Sequence, residues 1–301
     1  MLEAISLVAV LGASFGIILA FAGKKFAVDI DPRIDIVAAL LPGANCGACG
    51  YPGCHGLAEA IIEGKTGVSP CVACTPEGKQ KIAEALGLTA ELPLSKELRK
   101  VARLACNGCV TKAPIKYDYE GIKDCFLAAK TLGGPEKCNY GCLGFGSCVA
   151  SCPFHAITIG ANRMPVIDYE KCRGCGVCVI QCPQKVLYLS EASAKIHVKC
   201  NNRAKGKAAM TNCSFSCISC GLCAKNCPTK AITLHEDANG SIPVIDREKC
   251  IECGLCVKSC PRHCIQYIEP ISTDMPTLSD LKPINTGCAG CAARENCGLH
   301  S

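Results

Sequence analysis

The residues Cys217–Pro261 constrain this chain more than any other stretch. They read CISCGLCAKNCP, a spacer, and then CIECGLCVKSCP. Each run has the spacing C-x2-C-x2-C-x3-C-P. A short loop of that length can wrap one iron–sulfur cubane and aim three sulfurs inward, and in paired runs the fourth cysteine ligates the other cluster. The pattern groups Cys217, Cys220 and Cys223 with Cys260, and Cys250, Cys253 and Cys256 with Cys227. The closing proline has no N–H to donate and stops the short helix. Zinc favours separated pairs that close one tetrahedron, and two interlocked runs do not read that way.

The same unit occurs once before. Cys152–Pro183 reads CPFHAITIGANRMPVIDYEKCRGCGVCVIQCP, against CPTKAITLHEDANGSIPVIDREKCIECGLCVKSCP for Cys227–Pro261. Both contain an Ala-Ile-Thr strand, a polar turn (Gly160-Ala-Asn or Asp237-Ala-Asn-Gly), a Pro-Val-Ile-Asp strand and a second cysteine loop. The turns suit hairpins. The first copy departs in its leading loop, Cys138-x3-Cys142-x5-Cys148-x3-Cys152-Pro, where Phe145 takes the place of the middle cysteine. Cys138 is the expected substitute, giving Cys138, Cys142, Cys148 and Cys182 for one cluster and Cys152, Cys172, Cys175 and Cys178 for the other.

Thirty cysteines in 301 residues would suggest a disulfide scaffold in a short secreted chain. Their spacing instead places sulfurs for metal. With 5% aromatic residues and no Trp, the cores must be small and the metal centres must act as staples. The formal charge of +6 misleads, because five clusters at roughly −2 each would bring the loaded protein to about −4. No basic stripe interleaved with aromatics is present, so nucleic acid is not an expected partner.

Leu2–Ala22 carries one charge, Glu3, at its edge, and fits the length of one membrane-spanning helix. Lys24 and Lys25 follow it, which puts the remaining chain in the cytoplasm. Ala20-Phe21-Ala22 resembles a signal-peptide cleavage site, but the basic segment such a peptide needs at its start is missing. A short connector, Asp29–Leu41, broken at Pro32 and Pro42, leads to Cys46-x2-Cys49-x4-Cys54-x16-Cys71 on a Gly-rich loop. By spacing alone that set suits zinc or a [4Fe-4S] cluster; the cysteine loops downstream favour iron–sulfur. Helices are expected over Leu57–Glu63, ended by Gly64, and over Glu77–Leu86.

With the anchor, the CGACGYPGC loop and the two modules in view, the chain closely resembles the B subunit of the Rnf complex, a membrane-bound ferredoxin:NAD+ oxidoreductase that exports Na+ or H+. The resemblance covers nearly the whole chain, and the N-terminal helix with its C-x2-C-x4-C-x16-C domain is the specific part. It implies an α+β fold: a single N-terminal transmembrane helix (1–23), a small 4Fe-4S domain (24–88), a linker with extra cysteines (89–136), two tandem two-cluster ferredoxin-like modules (137–190 and 191–270) and a cysteine-containing tail (271–301). It also implies a cluster on Cys46, Cys49, Cys54 and Cys71. The cofactors would be five [4Fe-4S] clusters, the donor reduced ferredoxin, and the partners the other membrane and flavoprotein subunits at the cytoplasmic membrane. Cys288, Cys291 and Cys297 find no match in the family.

No acid–base pair, nucleophilic triad, phosphate loop or dinucleotide fingerprint appears, so this chain is expected to move electrons and to leave NAD to a partner. His55 and His155 read as ordinary surface residues. Ten cysteines lie outside the five sets: Cys74, Cys106, Cys109, Cys125, Cys200, Cys213, Cys264, Cys288, Cys291 and Cys297. If the modules pack with approximate two-fold symmetry, Cys106, Cys125, Cys200 and Cys213 could converge as a sixth cluster. Cys109 competes, since Cys106-x2-Cys109 is itself a chelating pair, and buried thiols packing as small hydrophobes are the plain alternative.

Overall fold

The computed structural model describes residues 2–25, 31–87, 99–108, 113–238 and 240–271; the side chains of residues 2–5, 7 and 8, Cys109 and the tail cysteines Cys288, Cys291 and Cys297 lie outside the described residues. Helix α1, Leu2–Lys25, spans 24 residues and ends on Lys24 and Lys25. It exposes Val10, Phe15, Ile17, Ile18, Leu19 and Phe21. Among the described residues, no helix is long and apolar enough to cross a membrane.

A small three-helix unit follows. The segment expected to be a connector is helix α2, Pro32–Leu40. Pro32 does not break it but starts it: a proline at the first helical position forfeits an N–H that has no partner there anyway, and Asp31 caps the Arg33 N–H at 2.9 Å. Helix α3 runs over Gly53–Ile62, and α4 over Pro76–Ala85, capped by the Thr75 hydroxyl, which accepts from the Gly78 N–H at 3.1 Å. Ile34 and Val37 of α2, Leu57 and Ile61 of α3, and Ile82 of α4 form its core with Cys71.

Two modules complete the chain. The first contains β1 (Lys100–Leu104), α5 (Cys125–Lys130), α6 (Ser147–Ala150), β2 (Ile157–Ile159), β3 (Pro165–Ile167), α7 (Val177–Ile180) and β4 (Leu187–Glu191). The second contains β5 (Ile196–Val198), α8 (Gly206–Asn212), α9 (Leu222–Lys225), β6 (Ile232–Asp237), β7 (Gly240–Ile245), α10 (Leu255–Ser259) and β8 (Ile265–Tyr267). The repeated Ala-Ile-Thr and Pro-Val-Ile segments form hairpins β2–β3 and β6–β7, with Ile157 opposite Ile167 and Ile232 opposite Ile245.

The other two sheets join the ends of each module. Strand β1 pairs with β4, and β5 pairs with β8, both antiparallel. Thus the segment read as a linker supplies the first strand of the first module. The pairing continues past each strand identically: the Ala105 N–H donates to Val186 O, and the Lys199 N–H to Cys264 O, both at 2.7 Å. Ala105 and Lys199, and hence Cys106 and Cys200 after them, occupy equivalent positions. Val101, Leu104, Ile157, Ile167 and Leu187 build the first core; Ile196, Ile232 and Ile265 build the second. Phe154 packs against both the first module's core and that of the N-terminal unit.

Candidate iron–sulfur centres

Each ligand loop reaches its third cysteine through a glycine in the left-handed region: Gly146, Gly176, Gly221 and Gly254, at the starts of α6, α7, α9 and α10. Such turns point successive backbone N–H groups toward one concavity, which suits an anionic guest. After three of the modules' four closing cysteines the chain folds back so that a backbone N–H meets the sulfur. The Ala156 N–H lies 3.4 Å from Cys152 Sγ, the Ala231 N–H 3.3 Å from Cys227 Sγ, and the Cys264 N–H 3.3 Å from Cys260 Sγ. Hydrogen bonds of this kind to ligand sulfurs stabilise thiolates and tune cluster potentials.

The structure brings four quartets to four cavities. Cys46, Cys49, Cys54 and Cys71 line one of ≈ 310 Å³. Asn45 supports this loop by accepting the Cys54 N–H on Oδ1 at 2.8 Å. Cys217, Cys220, Cys223 and Cys260 line a second of ≈ 380 Å³, with Ile218, Leu222 and Leu234 beside them. Cys227, Cys250, Cys253 and Cys256 line a third of ≈ 330 Å³ with Ile196, Ile232 and Ile251. Both cavities of the second module take their fourth cysteine from the other run.

The first module's leading cavity, ≈ 380 Å³, differs from expectation in one member. Its thiols are Cys125, Cys142, Cys148 and Cys182, and Cys138 is not in its lining. A capping network holds Cys125 there. Asp124 caps α5 by accepting from the Phe126 and Leu127 N–H groups, while its other oxygen accepts the Ser147 hydroxyl at 2.7 Å. Ser147 Oγ in turn accepts the Cys125 N–H at 2.8 Å, fastening α5 to the start of α6. Cys125 therefore supplies the thiol that Phe145 lacks. The Phe145 ring instead meets Tyr119 at 5.4 Å and the Arg163 guanidinium at 5.2 Å. The fourth expected set of the modules is also brought together: Cys178 feels the charges of Cys172 and Cys152, and Cys175 that of Cys178.

Cys138 lies elsewhere. It is buried, with Cys200, Cys106 and Cys213 as its charged neighbours, and burial with their repulsion pushes its thiol up to about 12. Cys106 is likewise pushed up to about 11, first by burial and then by Cys200 and Cys213. Of the expected sixth set, Cys106, Cys200 and Cys213 are together, while Cys125 is in the first module's cavity. The sequence held a sign of this exchange, because Cys138-x3-Cys142 and Cys213-x3-Cys217 occupy the same repeat position.

Neighbouring thiol groups touch. Cys46 and Cys175 hydrogen-bond each other, which brings Cys46 down to about 6 and joins the N-terminal unit to the first module. Cys178 feels Cys148 across that module. The Cys142 N–H donates to Cys106 Sγ at 3.5 Å and the Cys217 N–H to Cys200 Sγ at 3.3 Å. Cys264 bonds Cys200, Cys217 and Cys260, and its bond brings Cys260 down to about 5. Among the described residues no group of His, Cys, Asp or Glu could hold a single metal ion. The thiols ring cavities with apolar walls, and a donor set of four thiols around such a cavity fits a [4Fe-4S] cubane.

Comparison with known proteins agrees with this chemistry. A family model for an Fe-S cluster matches residues 41–73, a 4Fe-4S binding domain residues 165–188, and a 4Fe-4S dicluster domain residues 216–264. Over 213 residues the chain is 42% identical to the B subunit of the Na(+)-translocating ferredoxin:NAD(+) oxidoreductase complex of Acetobacterium woodii, covering 71% of this chain and 63% of that protein. It is 42% identical over 209 residues to the B subunit of the proton-translocating ferredoxin:NAD(+) oxidoreductase complex of Clostridium ljungdahlii, covering 69% and 72%. It is 38% identical over 218 residues to the B subunit of the ion-translocating oxidoreductase complex of Methanosarcina acetivorans, covering 72% and 81%. On these grounds the chain belongs to the family of B subunits of the ion-translocating oxidoreductase, or Rnf, complexes.

Proposed function

We propose that this chain is the iron–sulfur relay of a membrane-bound, ion-translocating ferredoxin:NAD+ oxidoreductase. It takes electrons from reduced ferredoxin and passes them to the complex's other membrane and flavoprotein subunits. Bound [4Fe-4S] clusters supply the redox chemistry, one electron at a time. The chain's own residues hold them, order them and keep water off. Five quartets carry this reading: Cys46, Cys49, Cys54 and Cys71; Cys152, Cys172, Cys175 and Cys178; Cys125, Cys142, Cys148 and Cys182; Cys217, Cys220, Cys223 and Cys260; and Cys227, Cys250, Cys253 and Cys256. Burial of the thiols means that loading must release protons as the thiolates form.

The observation that carries the proposal is the gathering of four thiols around each of four apolar-walled cavities, with Cys46 of the N-terminal quartet against Cys175 of the next. Electron tunnelling falls steeply with distance, so quartets set as close as those of Cys46 and Cys175 suit electron transfer. Helix α1 is the proposed single-pass anchor that keeps the relay on the cytoplasmic face: the sequence Leu2–Ala22 supplies the apolar length only when the side chains outside the described residues are counted, and Lys24 and Lys25 end it.

The test is a redox titration of the anaerobically reconstituted chain, with iron and sulfide analysis and EPR. The proposal expects sulfide equal to iron and fast reduction by reduced ferredoxin. Zinc in place of iron, or clusters that ferredoxin cannot reduce, would refute it. Membrane flotation of the chain with and without residues 1–23 tests the anchor: the truncated chain should stay with the soluble fraction and keep its clusters.

A further inference from the structure

The two modules are related residue by residue around the thiols that the five quartets leave over. Cys106 and Cys200 follow the equivalent residues Ala105 and Lys199, whose N–H groups bond the last strand of their own modules. Each sulfur then accepts a backbone N–H from the leading cysteine of a ligand loop, Cys142 in one module and Cys217 in the other. Cys138 and Cys213 stand four residues before those same leading cysteines. The four thiols are thus two equivalent pairs, Cys106 with Cys200 and Cys138 with Cys213.

They also meet. A Cβ built at Gly108 would lie 3.2 Å from Cys213 Sγ and 3.8 Å from Cys106 Sγ, so both sulfurs lie beside that glycine. Cys138 and Cys106 each lie near enough to both Cys200 and Cys213 for a thiolate there to repel their own ionisation. Cys138, Cys200 and Cys213 are each less than a tenth exposed.

The surroundings supply a second observation. Arg103 on β1 and His197 on β5 are again equivalent, three residues before Cys106 and Cys200, and both are buried. The Arg103 guanidinium stacks on Tyr169 at 4.8 Å and gives one bond to Ala192 O, while its Nε and one terminal nitrogen have no hydrogen-bond partner among the described residues. The half-buried Lys199 is close enough to both Arg103 and Cys106 to feel their charge. Buried cations without a carboxylate partner are costly. Beside four thiolates around an iron–sulfur core they become counter-charges.

We propose that Cys106, Cys138, Cys200 and Cys213 bind a sixth [4Fe-4S] cluster on the approximate two-fold axis between the modules. It rests on the iron–sulfur reading above and extends it. The cluster takes one electron from the site held by Cys125, Cys142, Cys148 and Cys182 and gives it to the site held by Cys217, Cys220, Cys223 and Cys260, or the reverse. Cys106 and Cys200 make the approach on the two sides. Cys109 has no counterpart, since Arg203 stands at its equivalent position, which leaves it outside the proposed set. Cys264, which sits in the repeat where Ala156 and Ala231 do, packs against the site without ligating it.

Iron counting in single and double variants of the full chain, reconstituted anaerobically, tests this. The wild type should hold about twenty-four iron atoms, and each of Cys106→Ala, Cys138→Ala, Cys200→Ala and Cys213→Ala about twenty. The decisive comparison is additivity. Cys138→Ala/Cys213→Ala should lose no more than either single variant, whereas Cys125→Ala/Cys138→Ala should lose about eight atoms, because those thiols serve different clusters. Cys109→Ala should keep the full complement and serve as the control. Additive loss from Cys138 and Cys213, non-additive loss from Cys125 and Cys138, or full iron in all four single variants would each overturn the assignment. A wild type without iron and sulfide would instead overturn the iron–sulfur reading itself.

Discussion

The two modules share strands, turns and three of four ligand loops, yet their leading loops solve one problem differently. The second module carries Cys220 within the loop. The first has Phe145 there and brings Cys125 in from an insertion, fixed by the Asp124–Ser147 bonds. The difference teaches that ligand position, not ligand order along the chain, is what the module preserves. It also leaves Cys138 outside that cavity and near its counterpart Cys213.

The largest effect should come from exchanging the two solutions. Cys125→Ala should cost the first module one cluster, about four iron atoms, while leaving the second module's EPR signals unchanged. Adding Phe145→Cys, which gives the first module the regular loop, should restore those atoms. Failure of the restoration would show that the two leading loops are not interchangeable.

A smaller effect separates the loops by backbone room. Gly144 in the first module and Ser219 in the second hold equivalent positions in the left-handed region. A Cβ on Gly144 would come within 2.6 Å of Arg163 O. Ser219 has space, and its hydroxyl donates to Ser241 O at 2.7 Å. Gly144→Ser should therefore destabilise by about 1–3 kcal/mol, and Ser219→Gly by about 0.5–1.5 kcal/mol, chiefly from the lost hydrogen bond. Thermal unfolding under anaerobic conditions orders the two, and equal effects would contradict the packing described.

Asp124→Ala should remove the cap of α5 and the Ser147 bond, for about 0.5–2 kcal/mol. Its diagnostic is faster iron loss to a chelator from the first module alone. Asp124→Asn, which keeps an acceptor, should sit between that variant and the wild type.

The smallest effect concerns the equivalent pair Arg103 and His197. Burial holds His197 down at about 4, with its Nε2 2.7 Å from Ala194 O. Its folded value lies below the unfolded one, so the unfolded chain takes up a proton first as pH falls. The stability contributed by the neutral ring is complete above about pH 6.5 and is lost progressively toward pH 4. Denaturant midpoints between pH 7 and 5.5 should fall less in His197→Gln than in the wild type, and parallel falls would rule out this source.

Much of this was legible in the sequence because cysteine spacing encodes loop geometry directly. The paired hairpins and the cross-over of Cys227 and Cys260 follow from the repeat. Pro32 was harder, since a proline reads equally as a break or as a first helical residue, and only the Asp31 cap decides. The strand at Lys100–Leu104 was hidden because its partner, β4, lies far along the chain. Cys125 escaped for a similar reason: its place depends on Ser147 in three dimensions, and no spacing rule reaches across such an insertion. Cys138 was misdirected by proximity to Cys142, although its equivalence to Cys213 already pointed between the modules.

The central claim is that electrons cross from one module to the other through the thiols on their shared axis. Rapid-mixing EPR of the reconstituted full chain with reduced ferredoxin tests it most directly, comparing the wild type with Cys138→Ala/Cys213→Ala. The account predicts that every cluster of the wild type is reduced in one fast phase, while in the variant the clusters of one module stay oxidised on that timescale though still present by iron count. Equal, complete and equally fast reduction in both proteins would contradict it.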